Sequence, residues 1–314
     1  MAAEKRRKML WLIGAVVAVL ALAGIALQIA IWINGSWVLE RVDRVVGGSA
    51  NVEQMVPAQY DDDPQQRLIV LRPNATSPAA RLPVILFIHG GSWSSGNPEN
   101  YALIGRGFAP EGFIVVVAGY RLGDVGKYPA MLEDGAAALS WTHTNIGALG
   151  GDPDAIYLMG HSAGAYNAVM LALDQQWLRT ANVPETAIRG AIGISGPYDF
   201  LPLDGPGVER AFGDSPDLPA TQPINYTRGD APPMLLLTGE ADTTVKPRNT
   251  RALAAALTEL GAEAQTAYYP GMDHSAPLVA LAAPWRNKSR VHAEIMRFLE
   301  RTTASSVPVQ HETR

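Results

Sequence analysis

The 314-residue chain predicts an α/β fold: a mostly parallel central sheet with helices on both faces, preceded by one transmembrane helix. Three observations predict it. From residue 66 onward, short apolar runs alternate with helical stretches, the pattern of parallel strands joined by crossover helices. One of those runs passes through a glycine-flanked serine straight into an Ala-, Met- and Leu-rich helix. Ahead of them stands an uncharged stretch long enough to cross a bilayer.

That stretch, residues 9–33, is apolar except for Gln28. At about 1.5 Å per residue it reaches roughly 37 Å, against a hydrocarbon core of about 30 Å. Lys5, Arg6, Arg7 and Lys8 fill the basic flank of residues 1–8, which the positive-inside rule keeps in the cytoplasm. Trp11, Trp32 and Trp37 stand near its ends, where amphipathic rings favour the interface. The rival reading is a cleaved signal peptide, because Ala21-Leu22-Ala23 resembles a cleavage site. Signal apolar cores run about 7–15 residues, and this one continues well past that site. An uncleaved anchor makes the lipid bilayer a partner and puts the rest of the chain outside the cytoplasm, in the periplasm of a two-membrane cell.

Residues 34–65 read as a juxtamembrane linker and lead-in, with Asp61, Asp62 and Asp63 before Pro64. Strands are expected over 66–71, 82–88, 113–117, 155–159, 191–195, 234–237 and 264–269. Helices are expected over 101–111, 129–145 with Pro129 in the first turn, 165–173, 248–260 and 290–301. One domain then covers 66–302, and 303–314 read as a disordered tail. Residues 201–228, rich in Pro, Gly and Asp without periodicity, read as an excursion from the domain.

Gly160-His161-Ser162-Ala163-Gly164 is the G-x-S-x-G pattern between a strand and a helix. A serine at such a sharp turn is pushed out of the sheet with its hydroxyl exposed, and glycines are needed where the two backbones pass close together. The bland alternative is an N-cap serine after a Gly-rich turn. A hydroxyl nucleophile needs a base, and the base needs an acid to orient it. Upstream, the 82–88 strand ends in His89-Gly90-Gly91-Ser92-Trp93. A developing oxyanion needs donors already aimed at it, and a glycine loop lets backbone N–H groups approach. In α/β-hydrolases such a loop supplies these donors with the residue after the nucleophile. Here they are Gly90, Gly91 and Ala163, while His89 is expected to brace the loop.

The chain order of that fold is Ser, acid, His. Both Glu240 and Asp242 follow the 234–237 strand at its carboxyl end, where active groups of open α/β sheets sit. Thr243-Thr244-Val245-Lys246-Pro247 resembles the run that follows the acid in this fold, which favours Asp242. Of the six histidines, only His274 follows a strand downstream of the acid. His143 and His292 fall in expected helices, His161 lies inside the elbow and His311 in the tail. Asp273 is adjacent to His274, so its side chain is expected to point elsewhere. The 201–228 excursion would pass over this site. Trp93, Tyr166, Tyr198 and Phe200 are candidates for the pocket wall or for plain core packing.

The set of HGGSW, Ala118-Gly119-Tyr120-Arg121-Leu122, Gly150-Gly151-Asp152-Pro153, GHSAG and Gly196-Pro197-Tyr198-Asp199-Phe200 resembles α/β-hydrolase esterases of the hormone-sensitive-lipase-like group. It is most similar to the branch of isoprenylcysteine methylesterase, kynurenine formamidase and bacterial acetyl/feruloyl esterases. The resemblance covers about residues 68–300. It implies a serine carboxylesterase acting on a small-molecule ester through Ser162, Asp242 and His274, with no metal or organic cofactor. It leaves acyl group, alcohol group and oligomeric state open. A formamidase or amidase on the same triad is the alternative, and a non-catalytic tethered binding protein is a third reading that needs a broken triad. The net charge of −5, with no basic block in the domain, argues against nucleic acid as a partner. The absence of cysteine excludes disulfides, thiolate metal sites and a lipoprotein anchor.

Overall fold

The apolar runs assemble into one sheet between two helical layers, in a computed structural model that describes residues 2–48, 51–55 and 57–304. Helix α1, Ala2–Gly47, is followed by two short strands, β1 (Val52–Gln54) and β2 (Ala58–Gln59). Both pair antiparallel with β3, Arg67–Pro73. Then come β4 (Leu82–Ile88), α2 (Ala102–Phe108), β5 (Ile114–Ala118), α3 (Ala130–Asn145), β6 (Gly151–His161), α4 (Ala163–Leu173), α5 (Gln175–Ala181) and β7 (Ile188–Ile194). The chain continues through α6 (Pro206–Phe212), β8 (Met234–Gly239), α7 (Arg248–Glu259), β9 (Ala264–Tyr269), α8 (Ala276–Val279), α9 (Ala283–Arg286) and α10 (Val291–Ala304).

The strand order is β1-β3-β5-β4-β6-β7-β8-β9, with β2 also on β3. Strand β3 runs antiparallel to β5, and β4 to β9 are parallel. Central strands buried on both faces must be apolar throughout, which is why they read as continuous runs. Their side chains alternate between layers. Val84, Leu86 and Ile88 join a cluster with Leu139, Tyr166 and Val169. Ile85 and Phe87 join the other, with Leu103, Phe108 and Phe298. All loops after β4 to β9 emerge at one edge, here called the catalytic edge.

The 34–65 segment departs from the linker reading. Helix α1 kinks at Asn34 (φ −153°, ψ 76°) and continues to Gly47. Asn34 Oδ1 accepts from Trp37 N and Ser36 Oγ, both at 3.0 Å, so it caps a second helical segment, 35–47. That segment is docked. Arg106 Nε donates to Asp43 Oδ2 and Arg106 Nη2 to Glu40 Oε2, each at 2.6 Å. Asp43 Oδ1 accepts from Ala283 N at 2.6 Å and faces Arg286 Nη2 at 3.3 Å. Glu40, Asp43 and Arg106 are buried. Local sequence did not reveal this, because each charge is answered from 60 or more residues away. Strands β1 and β2 also fall in the segment read as linker.

The other differences are of boundary. The expected 155–159 strand is the longer β6, and the 165–173 helix begins at Ala163. The 101–111 helix is α2 flanked by 3₁₀ turns. Thr303 and Ala304 extend α10 rather than beginning a disordered tail. Residues 305–314, with His311, and the side chain of Trp32 lie outside what is described.

Candidate active site

The G-x-S-x-G turn is strained as its sequence requires. Ser162 sits at φ 55°, ψ −122° between β6 and α4, a conformation that needs support from its surroundings. Its N–H is held by Ile194 O at 2.8 Å. Gly164 explains the final glycine of the motif, because a Cβ there would lie 2.0 Å from Ile88 O at the end of β4.

Three loops bring three side chains into line. Ser162 Oγ lies 2.8 Å from His274 Nε2, and His274 Nδ1 lies 2.8 Å from Asp242 Oδ2. A carboxylate only accepts, so the imidazole proton sits on Nδ1 and Nε2 accepts from the serine hydroxyl. Asp242 Oδ1 accepts from Thr244 N at 2.9 Å and Val245 N at 2.8 Å, which fixes the carboxylate. The rival acids are elsewhere. Asp273 Oδ1 accepts from Ser275 N and Ala276 N at the start of α8. Glu240 is exposed and faces Arg251 at 3.8 Å.

The glycine loop lies against the elbow. A Cβ on Gly90 would meet Ser162 Cβ at 3.2 Å. Gly91 has φ 123°, and a Cβ there would lie 2.0 Å from Ser95 O. Among the described residues no acceptor is bonded to the N–H groups of Gly90, Gly91 or Ala163. Ser92 and Trp93 follow with left-handed backbones, φ 51° and 54°. His89 lies under this loop. Its Nδ1 is 2.7 Å from Gly90 O, and its ring stacks between Tyr101 and Tyr120. Burial pushes its pKa down to about 4, so it is neutral and holds the loop rather than moving protons.

His161 is the residue whose role the sequence did not disclose. Its Nε2–H donates to His274 O at 3.1 Å, and the two rings lie 5.1 Å apart. Burial, helped by the His274 charge, pushes its pKa down to about 3. A neutral His161 therefore braces the backbone of His274. Its one signal was adjacency to the elbow serine at the end of β6. Asn249 was likewise silent in the sequence. Its Oδ1 accepts from Tyr198 N at 2.9 Å and Asp199 N at 2.8 Å, and so anchors the start of the excursion.

A cleft of about 380 Å³ opens over Ser162, within the usual range for small-ligand sites. Phe200 and the excursion's Asp204 and Val208 supply one wall, and the loop after β8 supplies the other through Thr243 to Lys246. Trp93 and Phe200 line it. Tyr166 and Tyr198 are fully buried instead. Tyr166 meets Trp93 and Phe212 edge-on at 5.5 and 5.2 Å, forming the packing beneath the cleft. Tyr198 lies with its hydroxyl against Gly193 and Gly196.

The sheet order, the elbow and the crossing loops are those of the α/β-hydrolase fold. Solved structures agree on this. A truncated carbohydrate esterase from gut microbiota superposes with a TM-score of 0.71 over 82% of this chain and 98% of its own, at 18% identity. Butyrate-bound esterase Est2 of Thermogutta terrifontis gives 0.65 over 81% and 95%, at 23% identity. Within that fold, residues 69–257 match the BD-FAE family, and the chain belongs to it. Esterase LipQ of Mycobacterium tuberculosis is 32% identical over 69% of this chain and 55% of its own length. The isoprenylcysteine alpha-carbonyl methylesterase ICME of Arabidopsis thaliana is 30% identical over 69% and 55%. The chain thus spans about half the length of these curated relatives.

Proposed function

We propose that the protein is a serine carboxylesterase for small or medium acyl esters. The observation that carries the reading is the continuous line from Ser162 Oγ through His274 to Asp242, two contacts of 2.8 Å each. Membership of the BD-FAE family and relatives named as esterases support it. In the proposed reaction His274 Nε2 takes the hydroxyl proton as Ser162 Oγ bonds to the ester carbonyl carbon. Asp242 holds the Nδ1–H tautomer and stabilises the imidazolium. The N–H groups of Gly90, Gly91 and Ala163 stabilise the oxyanion, each donor contributing on the order of 3 kcal/mol in the transition state. The carbon–alkoxide bond breaks, the alkoxide leaves with the proton from Nε2, and water repeats the cycle on the acyl-enzyme to release the acid.

The same proposal takes residues 9–33 as a retained anchor, with residues 1–8 cytoplasmic and the catalytic domain periplasmic. The helix is long, apolar and unburied over Glu4–Ile31, a pattern that a signal sequence shares. Ser162→Ala is expected to lower kcat/KM for a p-nitrophenyl acyl ester by roughly 10⁴-fold with an unchanged unfolding midpoint. Activity retained in that variant excludes the assignment. A panel of p-nitrophenyl esters beside aryl formamides separates ester from amide leaving groups, and a faster formamide would transfer the reading to a formamidase.

A further inference from the structure

The docked segment sets the edge of the domain at which the apolar helix leaves. Its direction follows from three contacts in order. Asn34 Oδ1 lies 3.5 Å from Asn100 Nδ2, Glu40 Oε2 accepts from Leu103 N at 3.0 Å, and Asp43 binds Arg106. So 34–43 runs beside 100–106 in the same direction. That direction is known from the sheet. Residues 98–101 follow the glycine loop at the carboxyl end of β4, and α2 then descends to the start of β5, which is parallel to β4. The far end of the docked segment leads to Val52, paired with Pro73. Pro73 ends a strand antiparallel to β5, at the edge opposite the carboxyl ends. The roughly 20 Å of a 13-residue helix spans the sheet from one edge to the other.

The apolar helix therefore leaves the domain at the catalytic edge, and it leaves without slack. Ile33 ends the apolar run, Asn34 caps the docked segment, and Trp37 is half-exposed with the Arg41 guanidinium 5.4 Å over its ring. An aromatic ring with a cation on its face suits the headgroup layer. The buried Glu40–Asp43–Arg106 cluster makes the joint stiff. With residues 9–33 in a bilayer, the edge with residues 98–101 would be held at its surface whatever the angle at Asn34. The glycine loop ends just before that turn, and β4 and β6 are neighbours, so Ser162 stands about one strand spacing, roughly 5 Å, from the loop's own strand. Attraction to anionic headgroups is not the device, because Asp61, Asp62 and Asp63 lie at the start of β3 on the same edge.

We propose that the catalytic edge faces the bilayer and that the enzyme draws its substrate from it: an amphiphilic ester whose apolar part resides in the lipid leaflet. This rests on the esterase and anchor readings above and adds the source and class of substrate. It explains why a hydrolase would tie its anchor down through buried ion pairs, when a flexible tether would serve for soluble esters.

Two experiments on the 314-residue chain in zwitterionic phosphatidylcholine vesicles test it. The chain has no cysteine, so Val125→Cys and Leu260→Cys each give a single labelling site. Val125 is exposed on the catalytic edge, beside Gly123, whose N–H binds Trp93 O at 2.8 Å. Leu260 is exposed at the opposite edge, after α7 and before β9. An attached fluorophore should be quenched by headgroup-nitroxide lipid at 125 and not at 260; equal quenching, or more at 260, overturns the orientation. The second experiment inserts a Gly/Ser spacer of about 20 residues between Ile33 and Asn34, adding a span of roughly 25 Å. Hydrolysis of soluble p-nitrophenyl acetate should stay within about twofold of wild type. Hydrolysis of a long-chain fluorogenic ester held in the same vesicles should fall about tenfold. A wild type that cleaves only the soluble ester, or a spacer that changes neither rate, overturns the membrane-facing edge while leaving the esterase reading intact. A wild type that cleaves neither ester removes the esterase reading and this proposal with it.

Discussion

Asp242 and Asp43 are both buried aspartates, 3% and 0% exposed, and they are held in opposite ways. Asp43 is met by permanent cations, Arg106 and Arg286, and by the N–H of Ala283. Asp242 is met by two backbone N–H groups and by one titratable ring, His274. A carboxylate neutralised by arginine has no charge left to lend and serves to join elements. A carboxylate fixed by neutral donors keeps its charge, which in the proposed reaction would stabilise a transient imidazolium. The partners, more than burial, separate the structural acid from the proposed catalytic one.

The sharpest break of this comparison is substitution to the amide at each site. Asp242→Asn should lower kcat by roughly 10⁴-fold, because the wrong imidazole tautomer is favoured, with little change in unfolding midpoint. Asp43→Asn should do the reverse. It leaves buried Arg106 and partly buried Arg286 under-paired and should reduce stability by roughly 3–5 kcal/mol, with kcat per folded molecule near wild type. Glu240→Gln and Asp273→Asn should alter kcat less than about tenfold, since neither touches His274. Parallel kinetics and denaturant titrations check all four, and a crippling Asp273→Asn would move the acid to that residue.

The candidate site was legible because it is written locally. Each part of it is a short run at the end of a strand: GHSAG after β6, HGGSW after β4, Asp242 after β8 and His274 after β9. Strain at Ser162 and the close approach at Gly164 are enforced by the residues that spell the motif. The docked helix was not legible, because Glu40 and Asp43 look like any exposed helical acids until Arg106 and Arg286 arrive by folding. His161 and Asn249 failed to show for the same reason, since their partners are the backbone of distant loops. Among the aromatics, composition could not tell wall from packing; the pocket took Trp93 and Phe200 and the core took Tyr166 and Tyr198.

The truncation that separates the apolar helix from the domain is set by the same contrast. Removing residues 1–33 should give a soluble protein with unchanged kcat, because Asn34 still caps 35–47. Removing 1–48 strips Glu40 and Asp43 from buried Arg106 and should lower the unfolding midpoint, most visibly as aggregation on warming. Equal behaviour of the two truncations would show that the docked helix does not stabilise the domain.

A smaller effect distinguishes the two regions by pH. The catalytic edge carries His89 and His161, held neutral with pKa values of about 4 and about 3 by burial. The unfolded chain protonates them near 6.5, so it binds more protons than the folded state below that pH. Stability from these two groups is complete above about pH 6.5 and is lost as the pH falls towards 4 and 3. Thermal midpoints should stay level from pH 7 to 8 and fall below 6.5. His161→Gln should make that acid limb shallower than in the wild type, and an unchanged limb would refute the neutral buried state of His161.

Reaction of the protein with a fluorophosphonate, read by intact mass and peptide mapping, tests the central claim most directly. The account predicts one adduct per chain, carried on Ser162, formed readily in the wild type and in Asp43→Asn, slowed by orders of magnitude in Asp242→Asn, and absent in Ser162→Ala. An adduct on another residue, or labelling that survives in Ser162→Ala, would contradict it.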